Sequence, residues 1–172
     1  NIHLILQMAA DSMPDREAVV CGSQRLTYQA LNDAVNVLAD KLADTKKLAY
    51  LAETGAAAPV AMFAAALRGI PYVPINYRLA EDQIKALLKR VSPASLISDD
   101  APEVEGISLI TPAQVFSPGT PWDGLAPDEE GGVAIELFTS GTTGDPKSAI
   151  LRHDNLMAYI LGTIEFMSAE ET

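Results

Sequence analysis

The chain has 172 residues, of which 48% are hydrophobic and 20% charged, and its formal net charge is −11. This size and composition predict one folded α/β domain with a sizeable core, and they exclude disordered and fibrous chains. The acidic balance argues against nucleic-acid binding, because neutralising phosphates needs clustered Lys and Arg. No apolar run reaches the length of a membrane span, and the single cysteine excludes an internal disulfide. Since residues 1–6 also lack a signal-peptide pattern, we expect a cytoplasmic protein.

The first region, residues 1–46, is predicted to contain two helices and a hairpin. Residues 2–10 are mostly apolar and predict a helix, and residues 18–27 predict a short β-hairpin. Thr27 is a good N-cap for a second helix over residues 28–43. The buried face of that helix is predicted to be Leu31, Val35, Leu38 and Leu42.

The second region, residues 47–116, alternates between strand and helix patterns. Strands are predicted at 47–52, 72–75 and 94–98. Between them, one helix is predicted at 56–68 and ends at Gly69, and a second is predicted at 80–91 with a buried face of Ile84, Leu87, Leu88 and Val91. Short connections between such units predict a parallel, right-handed βαβαβ arrangement. A further strand at 107–110 and a helical turn at 112–116 follow. The predicted fold class is α/β, with a partly parallel sheet flanked by helices.

The remaining residues predict a long surface loop over 117–132 and then a hairpin and a helix over 133–172. Trp122 is expected to anchor the loop by packing, as large aromatic side chains in loops do. Residues 132–138 and 148–152 predict two buried strands. The helix is predicted over 155–167, with a buried face of Leu156, Ile160, Leu161 and Ile164.

The segment between the two hairpin strands has the composition of an anion-binding loop. Its glycines allow successive N–H groups to converge on one point, its hydroxyls add donors, and its lysine adds a compact positive charge. Together these groups suit a polyphosphate better than a neutral ligand. The candidate ligands of phosphate are Thr139, Ser140, Gly141, Thr142, Thr143, Gly144 and Lys147.

Two better-known loops have a similar composition but do not fit. A Walker A loop needs a glycine where this chain has Pro146, which fixes φ and lacks an N–H. A Walker loop also leads directly into a helix, whereas this loop lies between strands. A nucleophile elbow is excluded because Ser140 lacks the glycine two residues before it.

The run from Phe138 to Lys147 resembles the ATP-phosphate loop of the adenylate-forming superfamily, which includes AMP-binding acyl-CoA synthetases. The following His153-Asp-Asn-Leu156 is similar to the segment after that loop in acyl-CoA synthetases. One position departs from the pattern, since the family usually has glycine where this chain has Ser148. Two further stretches, 26–31 and 67–79, resemble the family's first and second core motifs and occur in the family order.

The resemblance implies an AMP-forming ligase that uses ATP, Mg²⁺ and coenzyme A. A carboxylic acid, as in the fatty-acid ligases, would be activated as an acyl-adenylate and then transferred to the thiol. Fatty acyl-AMP ligases and peptide-synthetase adenylation domains are the alternatives within the family. Outside it, a non-catalytic nucleotide-binding module and a structural or dimerisation remnant remain open, and a homodimer is possible in each case.

Several segments of the family pattern do not occur in the 172 residues. These are an aromatic-Gly-x-Thr-Glu segment, a Thr-Gly-Asp segment separate from the Thr143-Gly-Asp145 of the phosphate loop, and a C-terminal lid lysine. We therefore expect an incomplete N-terminal AMP-binding domain without a complete catalytic set, without metal ligands of its own and inactive alone.

Five other polar residues admit a structural and a functional interpretation. Glu136 lies in an apolar strand and needs a partner or solvent. His153 follows the second hairpin strand, where it could contact nucleotide or satisfy backbone groups, the commoner case. Arg152 is expected to be a solvated strand end rather than a phosphate ligand. Asn76 and Arg78 lie between a strand and a helix, a usual place for ligand contacts, but a turn held by Asn76 with a solvated Arg78 is at least equally expected.

Overall fold

A computed structural model describes residues 1–127, 131–139 and 147–163 of the chain. Its elements, in chain order, are α1 His3–Ser12, β1 Glu17–Cys21, β2 Gln24–Thr27, α2 Tyr28–Lys41, β3 Leu48–Tyr50, α3 Ala57–Arg68, β4 Tyr72–Pro74, α4 Glu81–Val91, β5 Ala94–Ile97, β6 Ile107–Ile110, α5 Pro112–Val115, β7 Val133–Thr139, β8 Lys147–Arg152 and α6 His153–Thr163. Among these described residues no helix is long and apolar enough to cross a membrane.

Six strands form one sheet in the order β6-β5-β3-β4-β7-β8. The first five run parallel, and β8 returns antiparallel to β7. The predicted βαβαβ region is confirmed as parallel β3, β4 and β5, although β3 is shorter than the predicted 47–52. Strands β1 and β2 form a separate antiparallel hairpin.

The sheet separates two apolar cores, because alternate residues of a strand face opposite sides. Leu48 and Tyr50 of β3 pack with α2 and α3 on one side. Ala49, from the same strand, packs with α4 on the other. The predicted buried faces of both helices are confirmed: Leu31, Val35, Leu38 and Leu42 from the α2 segment, and Ile84, Leu87, Leu88 and Val91 from α4.

Local sequence signals set the ends of the central helices. Thr27 caps α2 by accepting a hydrogen bond from the Ala30 N–H at 3.1 Å, as predicted. Helix α3 ends at Gly69, whose φ of 66° lies in the left-handed region. A Cβ there would also lie 2.5 Å from Cγ of Pro127, so this close approach requires glycine.

The loop after α5 is held across the helices, and the predicted anchoring role of Trp122 is confirmed. Its backbone N–H donates to the Asn36 carbonyl at 2.9 Å. The Arg68 guanidinium lies 3.9 Å above the indole ring, a cation–π contact. Nζ of Lys41 donates to the Gln114 carbonyl at 2.9 Å. The chain is thereby fixed to α2 and α3 before it reaches β7.

Two predictions of burial in the last region are wrong. Strand β8 is mostly exposed, because it lies at the edge of the sheet and, of the strands that the structure describes, only β7 lies beside it. In α6, Leu161 is 51% exposed, whereas Leu156 and Ile160 are half-buried. The helix begins at His153 rather than 155, and Ile164 lies outside the described residues.

Acid sensitivity of the fold tests the burial of His3 on α1. His3 is 5% exposed, and its removal from water lowers its pKa below 6.5, an effect that Asn32 partly opposes. The unfolded chain therefore binds a proton at His3 more readily than the folded chain does. The contribution of neutral His3 to the free energy of unfolding is fully present above pH 6.5 and is lost as the pH falls through the folded-state pKa.

Urea denaturation should show this loss as the pH falls below 6.5 towards the lowered folded-state pKa of His3. His3→Gln should flatten part of the slope, leaving the contribution of the other buried histidine. An unchanged slope in the variant would contradict this origin.

Candidate phosphate-binding site

Two of the seven predicted phosphate ligands, Thr139 and Lys147, face each other across the β7–β8 hairpin. They are the last pair of its register, and Oγ1 of Thr139 donates to the Lys147 carbonyl at 3.3 Å. Both residues are exposed, so their side chains are available to a ligand. The predicted hairpin is therefore confirmed. The other five predicted ligands, Ser140, Gly141, Thr142, Thr143 and Gly144, lie outside the described residues.

The hairpin places this residue pair at the carboxyl edge of the parallel sheet. Strand β7 pairs in parallel with β4 through Tyr72 and Ile135, so Thr139 lies at the same edge as the ends of β3, β4 and β5. Ligands of open α/β sheets bind outside this edge. Asn76 and Arg78 follow β4 here, and Oδ1 of Asn76 accepts from the Arg78 N–H at 3.0 Å, as in the predicted simple turn.

A concavity near the end of β3, at the same edge of the sheet, is electrostatically unsuited to phosphate. It has a volume of about 440 Å³ and is lined by Tyr50, Glu53, Gly55 and Asp99 among other residues. Burial first, then the negative charge of Asp99 and the Cys21 thiol, raise the pKa of Tyr50. Because two carboxylates line it, an anion would be repelled there. Lys147, in contrast, places a positive charge at the hairpin.

The partner that Glu136 requires is Lys47. Nζ of Lys47 lies 2.8 Å from Oε2 of Glu136, and the two side chains are 30% and 13% exposed. Lys47 immediately precedes β3, so this ion pair ties the hairpin to the centre of the sheet. The Arg90 guanidinium of α4 also lies 5.4 Å from the centre of the Phe138 ring.

The base of the hairpin is closed by contacts around Gly131 and Gly132. The Arg152 guanidinium donates to the Gly131 carbonyl, and the Gly131 N–H donates to Oδ2 of Asp154 at 3.0 Å. The His153 N–H donates to the Gly132 carbonyl at 3.0 Å. Arg152 is exposed, in agreement with the predicted solvated strand end.

His153 is buried at this base and contacts the first turn of the chain. It is 4% exposed, and its Nδ1 accepts a hydrogen bond from the Ile2 N–H at 3.4 Å. Burial lowers the pKa of His153, the positive Asn1 amino group lowers it further, and Asp154 opposes the shift. Six residue steps of strand separate it from Lys147, a distance of about 20 Å. The backbone-satisfying interpretation of His153 is thus confirmed.

The described residues contain no group of three or more His, Cys, Asp or Glu that could hold a metal ion. Magnesium, which the family resemblance implies, therefore has no cluster of three or more such side chains among them.

The fold is that of the N-terminal part of adenylate-forming enzymes. The N-terminal subdomain of NpsA from Klebsiella oxytoca superposes with a TM-score of 0.74 at 26% identity, over 88% of this chain and 42% of that chain. The o-succinylbenzoate CoA synthetase of Bacillus subtilis shares the fold with a TM-score of 0.77 at 23% identity, over 96% of this chain and 46% of that one.

Sequence comparison identifies the family to which the chain belongs. The model of the family described as AMP-binding enzyme matches residues 6–171, so the chain belongs to the AMP-binding enzyme family. A medium/long-chain-fatty-acid–CoA/3-oxocholest-4-en-26-oate–CoA ligase of Mycobacterium tuberculosis is 25% identical over 99% of the chain. Bacitracin synthase 3 of Bacillus licheniformis is 30% identical over 93% of it. The chain spans 36% of the length of the mycobacterial ligase and 3% of the bacitracin synthase.

A double-mutant cycle tests whether the Lys47–Glu136 pair holds the hairpin to the sheet. We expect Lys47→Met and Glu136→Gln to show a coupling energy of about 1 kcal/mol in urea denaturation, because the pair is shielded from water. The exposed pair Arg25–Glu17, at 58% and 52% exposure, provides the control and should give about 0.3 kcal/mol. Equal coupling in the two pairs would contradict a special role for Lys47 and Glu136.

Proposed function

We propose that the chain is the N-terminal part of an ATP-dependent, AMP-forming acyl-CoA synthetase. The observation that carries the proposal is the pairing of Thr139 with Lys147 at the carboxyl edge of the sheet, in a chain of the AMP-binding enzyme family. The residues between them have the composition of an anion nest.

The proposed reaction has two steps. A carboxylate oxygen of the acid attacks the α-phosphorus of ATP, and the bond from that phosphorus to the bridging oxygen breaks to release pyrophosphate. The thiol sulfur of coenzyme A then attacks the acyl carbon. The bond from that carbon to the AMP oxygen breaks, giving the thioester and AMP, and the thiol proton passes to solvent.

The hairpin contributes charge neutralisation and positioning to the first step. Lys147 would offset the negative charge that pyrophosphate gains as it leaves, and the Thr139 hydroxyl would donate to a phosphate oxygen. Ser140, Gly141, Thr142, Thr143 and Gly144 are proposed to supply the remaining hydroxyl and N–H donors. These contacts must act locally, since the chain's net charge of −11 opposes an anion at long range.

Magnesium would enter with ATP as part of the substrate. Mg²⁺ usually keeps several waters and binds through substrate phosphates and one or two carboxylates. The described residues offer no larger cluster, so no step performed by this chain is assigned to the ion.

A second candidate within the family is an amino-acid-activating domain of a peptide synthetase. The 30% identity to bacitracin synthase 3 favours it, whereas the mycobacterial ligase and the stretch from Tyr72 to Asn76 favour the CoA ligase. A fatty acyl-AMP ligase would omit the second step. All three share the first step, to which the hairpin contributes.

Titration calorimetry with Mg·ATP tests the phosphate-binding role of Lys147. Replacing a charge-assisted contact costs about 1.5–3 kcal/mol, so Lys147→Ala should weaken binding by at least about tenfold. Lys85→Ala removes the same charge from an exposed position on α4 and should leave the affinity unchanged.

Two results would contradict the proposal. One is equal affinity in the wild-type and Lys147→Ala chains. The other is no binding by the wild-type chain at millimolar Mg·ATP.

A further inference from the structure

We propose that His153 is a positioning residue, whose buried imidazole fixes the end of β8 on α1 and thereby holds Lys147 opposite Thr139. The inference rests on the proposed function of the hairpin, but its structural part can be tested without a nucleotide.

Strand β8 needs such an anchor because it is an edge strand. Among the described strands its hydrogen-bonded neighbour is β7 alone, and five of its six residues are exposed. Sheet register is strongly specified only where one face is buried, and a slip by one residue turns every side chain to the opposite face. The exposed side chains of β8 therefore contribute little to its own register.

His153 is the first buried residue after β8. Its backbone N–H closes the hairpin on Gly132, and its side chain reaches the N–H of Ile2 in the first turn of the chain. That turn is itself fixed to helix α3, because Nδ2 of Asn1 donates to the Ala66 carbonyl at 3.0 Å. A continuous path of contacts thus runs from α3 through the first turn to the end of β8.

The contact requires a neutral imidazole. Nδ1 accepts from a backbone N–H, so the ring proton is assigned to Nε2. Protonation would place a hydrogen on Nδ1 that opposes the Ile2 N–H. Burial, which lowers the pKa of His153, keeps the acceptor available near neutral pH.

Within residues 1–127, 131–139 and 147–163, the charged groups around His153 are mostly engaged. The Asn1 amino group approaches from the start of the chain, and Asp154 from α6 has its Oδ2 bound to the Gly131 N–H. Arg152 of β8 is bound to the Gly131 carbonyl. From α3, the side chains of the adjoining apolar cluster are the uncharged Met62, Phe63 and Ala66.

His153 acts through the strand and not on the substrate. The separation of about 20 Å from Lys147 excludes direct contact with a phosphate at the loop. Loss of the anchor is therefore expected to change the placement of Lys147 and not the charge of the site.

Two variants separate the hydrogen bond from simple filling of space. In His153→Asn the amide oxygen replaces Nδ1 as acceptor but does not titrate, whereas His153→Leu fills the site without an acceptor. The first measurement is amide hydrogen exchange of β8 in the absence of nucleotide. We expect exchange about tenfold faster in His153→Leu, because a buried N–H loses its partner, and near wild-type exchange in His153→Asn.

The second measurement is Mg·ATP affinity from about pH 8 to pH 5, the range in which histidine titrates. Affinity of the wild-type chain should fall in acid more steeply than that of His153→Asn, since ATP titrates identically in both. The variant that restores the acceptor thus removes only the share of His153 from the pH dependence and keeps that of ATP and of the other protein groups.

The inference would be overturned if the affinity profiles of wild type and His153→Asn overlapped and the amide exchange of β8 were unchanged in both variants. It would also be overturned if β8 exchanged as fast in His153→Asn as in His153→Leu. If His153→Leu does not fold, the comparison of His153→Asn with wild type still decides through the pH profile. If Lys147→Ala did not weaken Mg·ATP binding but the His153 variants still changed the amide exchange of β8 as expected, the result would contradict the proposed function and support the role of His153.

Discussion

Strand β7 joins the parallel strands of the sheet to the antiparallel strand β8, and its pairings determine where the candidate site can lie. On one side it continues the parallel sheet through β4, and on the other it pairs antiparallel with β8. The parallel pairing brings Thr139 to the carboxyl edge, and the antiparallel return brings Lys147 back to the same place. The Lys47–Glu136 ion pair reinforces this connection from the centre of the sheet. Without β7, Thr139 and Lys147 would have no fixed relation to the rest of the fold.

Electrostatics explains why the proposed phosphate contacts concentrate at one hairpin. The chain is strongly acidic, and the concavity at the end of β3 is lined by Glu53 and Asp99. Lys47 is already paired with Glu136. Lys147 lies at an exposed strand end with its side chain available to a ligand. The proposed polyphosphate site therefore depends on the local cation and donors, which must act against the overall field of the protein.

Signals that act within a few residues could be predicted from the sequence. The Thr27 cap, the end of α3 at Gly69 and the buried face of α4 follow from spacing and backbone chemistry. The alternation of strands and helices also predicted the parallel sheet. The hairpin followed from apolar runs on both sides of a glycine-rich segment, but the pairing of Thr139 with Lys147 lies one residue beyond each predicted strand and was not predicted.

Features that depend on strand order and on distant pairs could not be predicted. Exposure of β8 follows from its place at the edge of the sheet, which its own apolar composition does not reveal. The partner of Glu136 lies 89 positions away, and the partner of His153 lies 151 positions away. No local pattern identifies such partners, since they are set by the packing of whole elements.

The most direct measurement for the central claim is a crystal structure of this chain with a non-hydrolysable ATP analogue and magnesium. The β- and γ-phosphates should lie within hydrogen-bond distance of Nζ of Lys147 and the Thr139 hydroxyl, about 2.7–3.2 Å. Phosphates bound instead at the turn between β3 and α3, near Gly55, with Lys147 in solvent, would contradict the account.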